Sequence, residues 1–242
     1  MNRAGSVKTA SLAESRRVPT HIVIIPDGNR RWAKKHGLEP IEGHKKGLEA
    51  AFNVVKASKN IGVKVLTLWS FSTENWKRPT MEVRYLMHIY QIFFKKHVKE
   101  LIKEGVRFKW LGRRDRVPQS LKKLLLAIEK QTAKNKNYIL NICLDYGGRD
   151  ELIRAFRKIM RKGIKPSQVN EDLISKNLDT AGLPEPDLLI RTSGEKRTSG
   201  MMPWQTAYTE FYFSKLYFPD FSQKELKRAI ADYSARPRRY GS

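Results

Sequence analysis

Cysteine is nearly absent from this 242-residue chain, which has only Cys143, inside an apolar run. A single cysteine cannot close an intramolecular disulfide, so the fold does not depend on a disulfide framework and suits a reducing cytoplasm. Long apolar runs are also absent. None approaches the roughly 18 residues that a membrane-spanning helix needs, and the start of the chain lacks the apolar centre of a signal peptide. We therefore predict a cytoplasmic protein that does not span a membrane.

Acidic residues are scarce: 24 Asp and Glu face 48 Lys and Arg, which gives a formal net charge of +24. Such an excess predicts negatively charged partners, namely nucleic acid, an anionic membrane surface or phosphorylated substrates. The lysines are spread over nearly every predicted helix, whereas nucleic-acid-binding proteins usually gather them in a tail or stripe. A basic surface without a specific partner is the remaining alternative, and charge alone does not decide.

Several catalytic signatures are missing as well. The sequence has no Gly-Lys-Ser or Gly-Lys-Thr triplet, so a Walker-type loop for nucleotide hydrolysis is not expected. Its five histidines lack metal-ligand spacing, and no nucleophile and base stand out as a pair. Only His44 follows a glycine at the start of a predicted helix, where its ring could meet a diphosphate.

Short apolar runs alternate with longer segments of helical periodicity, which favours an α/β fold with a central, largely parallel six-stranded sheet flanked by helices. The predicted strands are Ile22–Pro26, Lys64–Phe71, Arg107–Leu111, Tyr138–Leu144, Asp187–Thr192 and Glu210–Phe213. No linker or internal repeat divides the chain. We therefore predict one domain at residues 18–242 after a flexible basic tail at residues 1–17.

The first predicted strand runs directly into an acid. Asp27 follows an apolar run and a proline, precedes a glycine, and is followed by Arg30, Arg31 and Trp32. A carboxylate at the carboxyl end of a buried strand, beside paired guanidinium groups, suits a metal-bound diphosphate. An ordinary Asp-Gly turn is the alternative, which the two arginines and the tryptophan disfavour.

Two more loops at predicted strand ends have side chains that suit phosphates. Residues 70–79 gather polar and aromatic side chains, namely Ser72, Glu74, Asn75, Trp76 and Arg78. Residues 191–199 contain Arg191 and Arg197, each able to hold a phosphate bidentately, and several hydroxyl groups. Glu210 is a second isolated acid, just before an apolar strand. Together these residues predict a site for two diphosphates and one divalent metal.

With these motifs in this order, the chain resembles the cis-prenyltransferases of the undecaprenyl diphosphate synthase family. The matching segments span residues 21–241 and are Ile25–Trp32, Gly43-His44, Phe71–Pro79, Tyr146–Arg149, Arg191–Arg197, Trp204-Gln205, Glu210, Pro219-Asp220 and Arg239-x-Gly241. The resemblance implies a Mg²⁺-dependent enzyme that condenses isopentenyl diphosphate with an allylic prenyl diphosphate. Its product would be a cis-polyprenyl diphosphate for a glycan carrier lipid.

The resemblance also implies a role for each matching residue. Asp27 would hold Mg²⁺ and promote departure of the allylic diphosphate, with Glu210 helping to place the metal, and Ser72 and Asn75 would assist proton removal. The allylic diphosphate would be bound by Gly28, Asn29, Arg30, Arg31, Trp32, His44 and Arg78. The isopentenyl diphosphate would be bound by Arg191, Arg197, Ser199 and, at the carboxyl terminus, Arg239 and Gly241. Glu74 and Trp76 would lie on a mobile loop over the substrates.

The resemblance to this family implies further properties. A hydrophobic tunnel would run along the apolar helical tract from Val83 to Leu101, although plain core packing explains any one of its residues equally well. We expect a homodimer, because Arg239-x-Gly241 resembles the motif that reaches the partner subunit's diphosphate site. We also expect peripheral contact with membrane lipid and no nucleic-acid partner.

Four positions depart from the family pattern. Pro40 replaces an arginine that binds the allylic diphosphate in many relatives, and residues 200–203 replace a polar residue and the bulky apolar ones after it. Leu48 and Lys196 also differ from common relatives. These departures keep two alternatives open: a short or irregular, non-head-to-tail product, or prenylation of another acceptor. The intact site residues argue against a third, a non-catalytic subunit or basic binding protein.

Overall fold

A computed structural model describes residues 17–237. Its strands form one parallel sheet in the order β3-β4-β2-β1-β5-β6. They are β1 (His21–Ile25), β2 (Val65–Ser72), β3 (Val106–Leu111), β4 (Tyr138–Tyr146), β5 (Leu188–Arg191) and β6 (Glu210–Phe213). Each lies within two residues of its predicted position, so the predicted six-stranded α/β fold is confirmed.

Seven α-helices lie within residues 17–237. They are α1 (Asn29–Lys35), α2 (Pro40–Ile61), α3 (Thr80–Lys103), α4 (Gln119–Thr132), α5 (Gly148–Arg161), α6 (Glu171–Asn177) and α7 (Gln223–Ser234). Among the described residues, no helix is both long and apolar enough to cross a membrane. The predicted tail at residues 1–17 lies outside the described residues except for Arg17, and its mobility stays a prediction.

The two faces of the sheet are both covered, which explains why the strands read as continuous apolar runs. Along β1, Ile22 and Ile24 belong to the larger core cluster, with α2, α3, α4 and α7. Val23 and Ile25 point to the other face and join a smaller cluster with Met201 and other residues. These four apolar side chains of β1 all pack in the core, so the chain must leave the strand before polar side chains can face a ligand.

The order of the strands sets the position of the site. From β1 the chain goes to β2 on one side, whereas β5 pairs with β1 on the other side. The loops that follow β1 and β5 therefore diverge and leave a crevice between them, which is where ligands bind in open α/β sheets. Because Ile25 pairs with Arg191, the Asp27 that follows β1 lies beside this arginine.

Two glycines on α2 let α1 pack directly against that helix. A Cβ atom at Gly43 would lie only 2.0 Å from the backbone oxygen of Asn29, and one at Gly47 would lie 2.5 Å from its side-chain Oδ1. Asn29 is the first residue of α1, so these contacts fix the start of that helix against the crevice.

Replacing Gly43 with alanine should lower the free energy of unfolding by about 1–3 kcal/mol, because the methyl group overpacks against a backbone atom that cannot swing away. Denaturant unfolding followed by circular dichroism measures the change. Glu49→Ala, at an exposed position of the same helix, is the matched control and should change stability by less than about 0.5 kcal/mol. Equal stability of the two variants would contradict the contact.

Candidate active site

Asp27 is the centre of the crevice between β1 and β5. Its Oδ2 accepts a hydrogen bond of 2.9 Å from Arg191 Nη2, and its Oδ1 accepts one of 3.2 Å from Arg31 Nη2. Although burial opposes the shift, the hydrogen bond and charge of Arg191, followed by those of Arg31, lower the pKa of Asp27 below its ordinary value. The carboxyl group is therefore ionised at neutral pH, as a metal ligand must be.

The backbone on either side of Asp27 is fixed by its neighbours. The hydroxyl of Thr192 accepts from the Asp27 amide at 2.9 Å and donates to the Asp27 carbonyl at 2.7 Å. Gly28 has φ of +101° and caps α1, and a Cβ atom there would lie 2.7 Å from the Tyr217 ring and 2.9 Å from Ser193 Oγ. Both the conformation and the space therefore require glycine at this position, and the first residues of α1 line the cavity beside it.

Three of the five residues predicted to bind isopentenyl diphosphate, Arg191, Arg197 and Ser199, lie together at the end of β5 and in the loop after it. Arg191 Nη1 donates to the carbonyl of Arg197 at 2.6 Å and to Ser199 Oγ at 2.8 Å. The buried Nε of Arg191 has no hydrogen-bond partner among the described residues. The loop turns back on itself through positive φ angles at Ser193, Gly194, Ser199 and Gly200. The predicted Arg239 and Gly241 lie outside the described residues.

Glu195 is a site residue that sequence reasoning missed. Its carboxylate accepts a hydrogen bond of 3.0 Å from Arg31 Nη1 and another from Arg197 Nη1. It thereby connects an arginine predicted to bind the allylic diphosphate with one predicted to bind isopentenyl diphosphate. The only signal in the sequence is its place inside the segment Arg191–Arg197.

A basic cavity of about 710 Å³ extends from Asp27 along α1 and the start of α2. It contains most of the residues predicted to bind the allylic diphosphate, and its lining includes Gly28, Asn29, Arg30, Arg31, His44 and Arg78. Glu82 lies between two of these cations, accepting a hydrogen bond from Arg78 at 3.3 Å and lying 3.8 Å from Arg30. Pro40 lines the same cavity as the first residue of α2, so the departure from the family pattern removes a cation from this wall.

His44 lies where this cavity meets the next one. Burial, and then the charges of Arg78 and Arg30, lower its pKa to about 4. Its Nε2 is buried and has no hydrogen-bond partner in the described part of the chain. The ring is therefore neutral at pH 7 and has one nitrogen free to meet a ligand.

The adjoining cavity, of about 360 Å³, has one polar and one apolar wall. The polar wall combines Asp27, Arg191 and Ser199 with residues from the loop after β2, namely Ser72, Glu74, Asn75 and Arg78. The opposite wall is formed by Leu48, Ala51, Leu68, Tyr90 and Phe218. Ser72 and Asn75 are coupled, because the Ser72 amide donates to Asn75 Oδ1 at 3.0 Å. Only Tyr90 of the tract Val83–Leu101 reaches this cavity, so a longer tunnel stays a prediction.

Two predicted tryptophans lie elsewhere. Trp32 donates through Nε1 to Asp220 at 2.8 Å and packs against His36, so it ties α1 to the segment before α7 and does not line either cavity. Trp76 packs on Phe71 and donates to Asp145, away from both cavities. In the described chain Trp32 thus makes a structural contact, and its part in binding the allylic diphosphate stays a prediction.

Glu210 is not brought to Asp27 within one chain. Ile22, Leu188 and Glu210 share one register row at the start of their strands. Asp27 lies five residues beyond Ile22, which is roughly 16 Å along the strand at about 3.3 Å per residue. Glu210 instead accepts a hydrogen bond of 2.7 Å from Arg236. Among the described residues of one chain Glu210 thus lies away from Asp27, and its part in holding the metal stays a prediction.

Asp27 alone fits a magnesium ion that is shared with substrate. The described residues contain no group of three side chains that could hold a metal by themselves. Mg²⁺ in proteins is commonly bound by one or two carboxylates, substrate phosphates and water. An ionised carboxylate that lines both cavities, with arginines for phosphate groups around it, matches this pattern.

Comparison with known proteins places the chain in a family. A profile of the undecaprenyl diphosphate synthase family matches residues 25–241. An isoprenyl transferase from Prochlorococcus marinus is 46% identical over 232 residues, covering 94% of this chain and 85% of that protein. One from Aquifex pyrophilus is 45% identical over 227 residues, covering 94% and 97%. The solved lavandulyl diphosphate synthase from Lavandula x intermedia, in complex with dimethylallyl diphosphate, is 36% identical with a TM-score of 0.90, covering 93% and 99%.

Inorganic pyrophosphate should raise the pKa of His44 above its free value of about 4, because an anion beside the ring favours the imidazolium form. Histidine NMR titration with and without pyrophosphate measures this shift. Since the free pKa lies below that of the unfolded chain, stability should also fall as pH decreases from about 6.5 towards 4.

His21 is the matched control for this titration. Burial also lowers its pKa to about 4, but its ring is already paired with the Pro184 carbonyl and Thr67 Oγ1, both at 2.8 Å. Its pKa should not respond to pyrophosphate. A free His44 that titrates near pH 6.5 would contradict the buried, neutral ring.

Proposed function

The chain belongs to the undecaprenyl diphosphate synthase family and is a cis-prenyltransferase, and we propose that it condenses isopentenyl diphosphate with an allylic prenyl diphosphate to give a cis-polyprenyl diphosphate. One observation supports this reaction above the others. Asp27 pairs with Arg191 between two sets of phosphate-binding side chains, and an apolar wall begins directly beside them. The site thus combines two places for diphosphates with one for hydrocarbon.

The allylic substrate would place its diphosphate in the basic cavity. Arg30, Arg31 and Arg78 would bind its oxygens, with His44 Nε2 as a neutral donor or acceptor. When the allylic C–O bond breaks, its electron pair leaves with the diphosphate, and these fixed cations stabilise the growing negative charge. A magnesium ion bound at Asp27 would supply further Lewis-acid stabilisation of the same group.

Isopentenyl diphosphate would bind on the other side of Asp27. Arg191, Arg197 and Ser199 would hold its diphosphate, which directs its double bond towards the allylic carbon in the adjoining cavity. The double bond supplies the electrons of the new C–C bond, and one proton must then leave the neighbouring carbon. Ser72 and Asn75 lie on the polar wall of that cavity and would assist this proton removal. The apolar wall keeps water from the allylic cation.

The departure at residues 200–203 leaves this second set of contacts intact. Met201 and Met202 are fully buried in the smaller core cluster, and Gly200 accepts a hydrogen bond of 3.0 Å from the Gly148 amide. The segment is therefore anchored to the start of α5, and Ser199 still contacts Arg191. An altered sequence here does not by itself abolish isopentenyl diphosphate binding.

A short or irregular product is the second candidate. Pro40 changes the basic cavity, and a lavandulyl diphosphate synthase solved with dimethylallyl diphosphate is among the structures most similar to this chain. We keep the elongating reaction first because the isoprenyl transferases share 45–46% identity, against 36% for that synthase. Use of the product as a glycan carrier lipid belongs to the same proposal.

The oligomeric state and the cellular location that we propose together with this activity are inferred from the sequence. A homodimer would bring the segment Arg239-x-Gly241 of one subunit to the other subunit's diphosphate site. We propose a cytoplasmic enzyme with peripheral contact to membrane lipid, because the basic surface suits anionic headgroups. Nucleic acid is not proposed as a partner.

Radiolabelled isopentenyl diphosphate, incubated with the protein, Mg²⁺ and each allylic primer in turn, should give a series of products that differ by one isoprene unit. Thin-layer chromatography of the dephosphorylated products measures their length. Chelation of Mg²⁺ should abolish incorporation. A single condensation product with every primer would contradict the elongating reaction and support the second candidate.

Replacing Asp27 with alanine should lower turnover by at least about 10²–10³-fold, the effect of losing one transition-state stabiliser, while substrate still binds through the arginines. Steady-state kinetics and equilibrium binding of the allylic diphosphate measure the two effects separately. Asp220→Ala is the control, because it removes only the hydrogen-bond partner of Trp32. Its turnover should stay much closer to the wild-type value than that of Asp27→Ala. Near-normal activity of Asp27→Ala would refute its assignment as the metal ligand.

A further inference from the structure

Two loops at the carboxyl end of the sheet meet on one buried carboxylate outside the two cavities. Asp145, near the end of β4, accepts a hydrogen bond of 2.8 Å from Trp76 Nε1 in the loop after β2. It also accepts two from Arg116, in the loop after β3, one of them from Nε at 2.9 Å. The guanidinium of Arg116 lies 5.4 Å from the centre of the Trp76 ring. We call Arg116, Asp145 and Trp76 the clasp.

The carboxylate of the clasp is held in place by its own backbone. Asp145 is completely buried and has φ of +56°, a conformation that few residues other than glycine adopt. Its carbonyl accepts a hydrogen bond of 2.9 Å from the Arg113 amide, and a Cβ atom at Gly112 would lie 2.8 Å from the same oxygen. Asp145 is therefore a fixed point to which more mobile segments can be attached.

The clasp fixes the turn that presents polar side chains to the active site. The turn is a short 3₁₀ helix at Thr73–Lys77. Glu74 and Asn75 face the cavity, whereas Trp76 points the other way and packs edge-on against Phe71 at 5.2 Å. The start of the turn also lies against β4, because a Cβ atom at Gly147 would be 2.2 Å from Thr73 Oγ1. Holding Trp76 thus determines where Asn75 lies.

We propose that Arg116 and Asp145 are positioning residues for catalysis, which act through Trp76 to keep Ser72 and Asn75 at the reacting carbons. This inference rests on the proposed condensation, in which those two residues assist proton removal. Arg116 and Asp145 line neither cavity, so they contact no substrate bound there. Their loss should lower kcat and leave the KM for isopentenyl diphosphate near its wild-type value, since Arg191 and Arg197 are untouched.

Two variants test the clasp from opposite sides. Arg116→Gln removes the cation that pairs with the buried carboxylate. Trp76→Phe removes the indole N–H donor and part of the ring but keeps an aromatic side chain beside Phe71. In both, amide hydrogen exchange of residues 73–78 should become faster. A displacement of about 1 Å would lower kcat by about 10²-fold. Trp76→Phe keeps the Arg116–Asp145 pair and serves as the test if Arg116→Gln does not fold.

Arg154→Gln is the matched control. Arg154 also pairs with a partly buried aspartate, Asp179, at 2.6 Å, but it lies on α5 and contacts neither the turn nor the cavities. Unchanged exchange at residues 73–78 in both clasp variants, or a loss of kcat no larger than that of Arg154→Gln, overturns the inference. If the wild-type protein transfers no prenyl group, the proposed function fails, while the exchange measurement still decides whether the clasp holds the turn.

Discussion

The contact between Asp27 and Arg191 is the constraint on which the rest of the site depends. Arg191 is almost completely buried at the end of β5, and a buried guanidinium without a carboxylate would be strongly destabilising. Asp27 can supply that carboxylate only because β1 and β5 are adjacent and in register, and because Thr192 and Gly28 fix its backbone. The ion pair that stabilises the sheet at the crevice between β1 and β5 is thus also the pair that a diphosphate and a metal ion would contact.

The same arrangement recurs across the site, because each of three acids lies between two arginines. Asp27 lies between Arg31 and Arg191, Glu195 between Arg31 and Arg197, and Glu82 between Arg30 and Arg78. The acids let five cations sit close together before any substrate arrives, because like charges at this spacing repel strongly. Diphosphates would then replace carboxylate contacts with stronger bidentate ones. Five arginines against three carboxylates still leave a positive charge where substrates would bind.

The fold could be predicted because its sequence signals are local and because both faces of its sheet are covered, which makes the strands continuous apolar runs. Continuous apolar runs such as Ile22–Ile25 predict buried parallel strands, and the carboxyl-end rule then places Asp27 and Arg191 at one edge. The same rule separates Glu210 from Asp27 within one chain, because this acid is the first residue of β6 and therefore lies at the opposite edge. Trp32 and Trp76 could not be oriented from sequence, since a helix and a 3₁₀ turn send neighbouring side chains in different directions.

Within the turn Thr73–Lys77, neighbouring side chains point in different directions, so one turn contacts both the body of the protein and the active-site cavity. A turn that presented all of its residues to substrate would have no contact with the body of the protein except through its ends. Here one residue in the middle, Trp76, faces inward to a buried carboxylate, while Asn75 faces outward to the cavity. Because β4 lies next to β2, the fixed end of one strand positions the loop of its neighbour. The position of Asn75 relative to the reacting carbons therefore depends on residues that do not themselves contact those carbons.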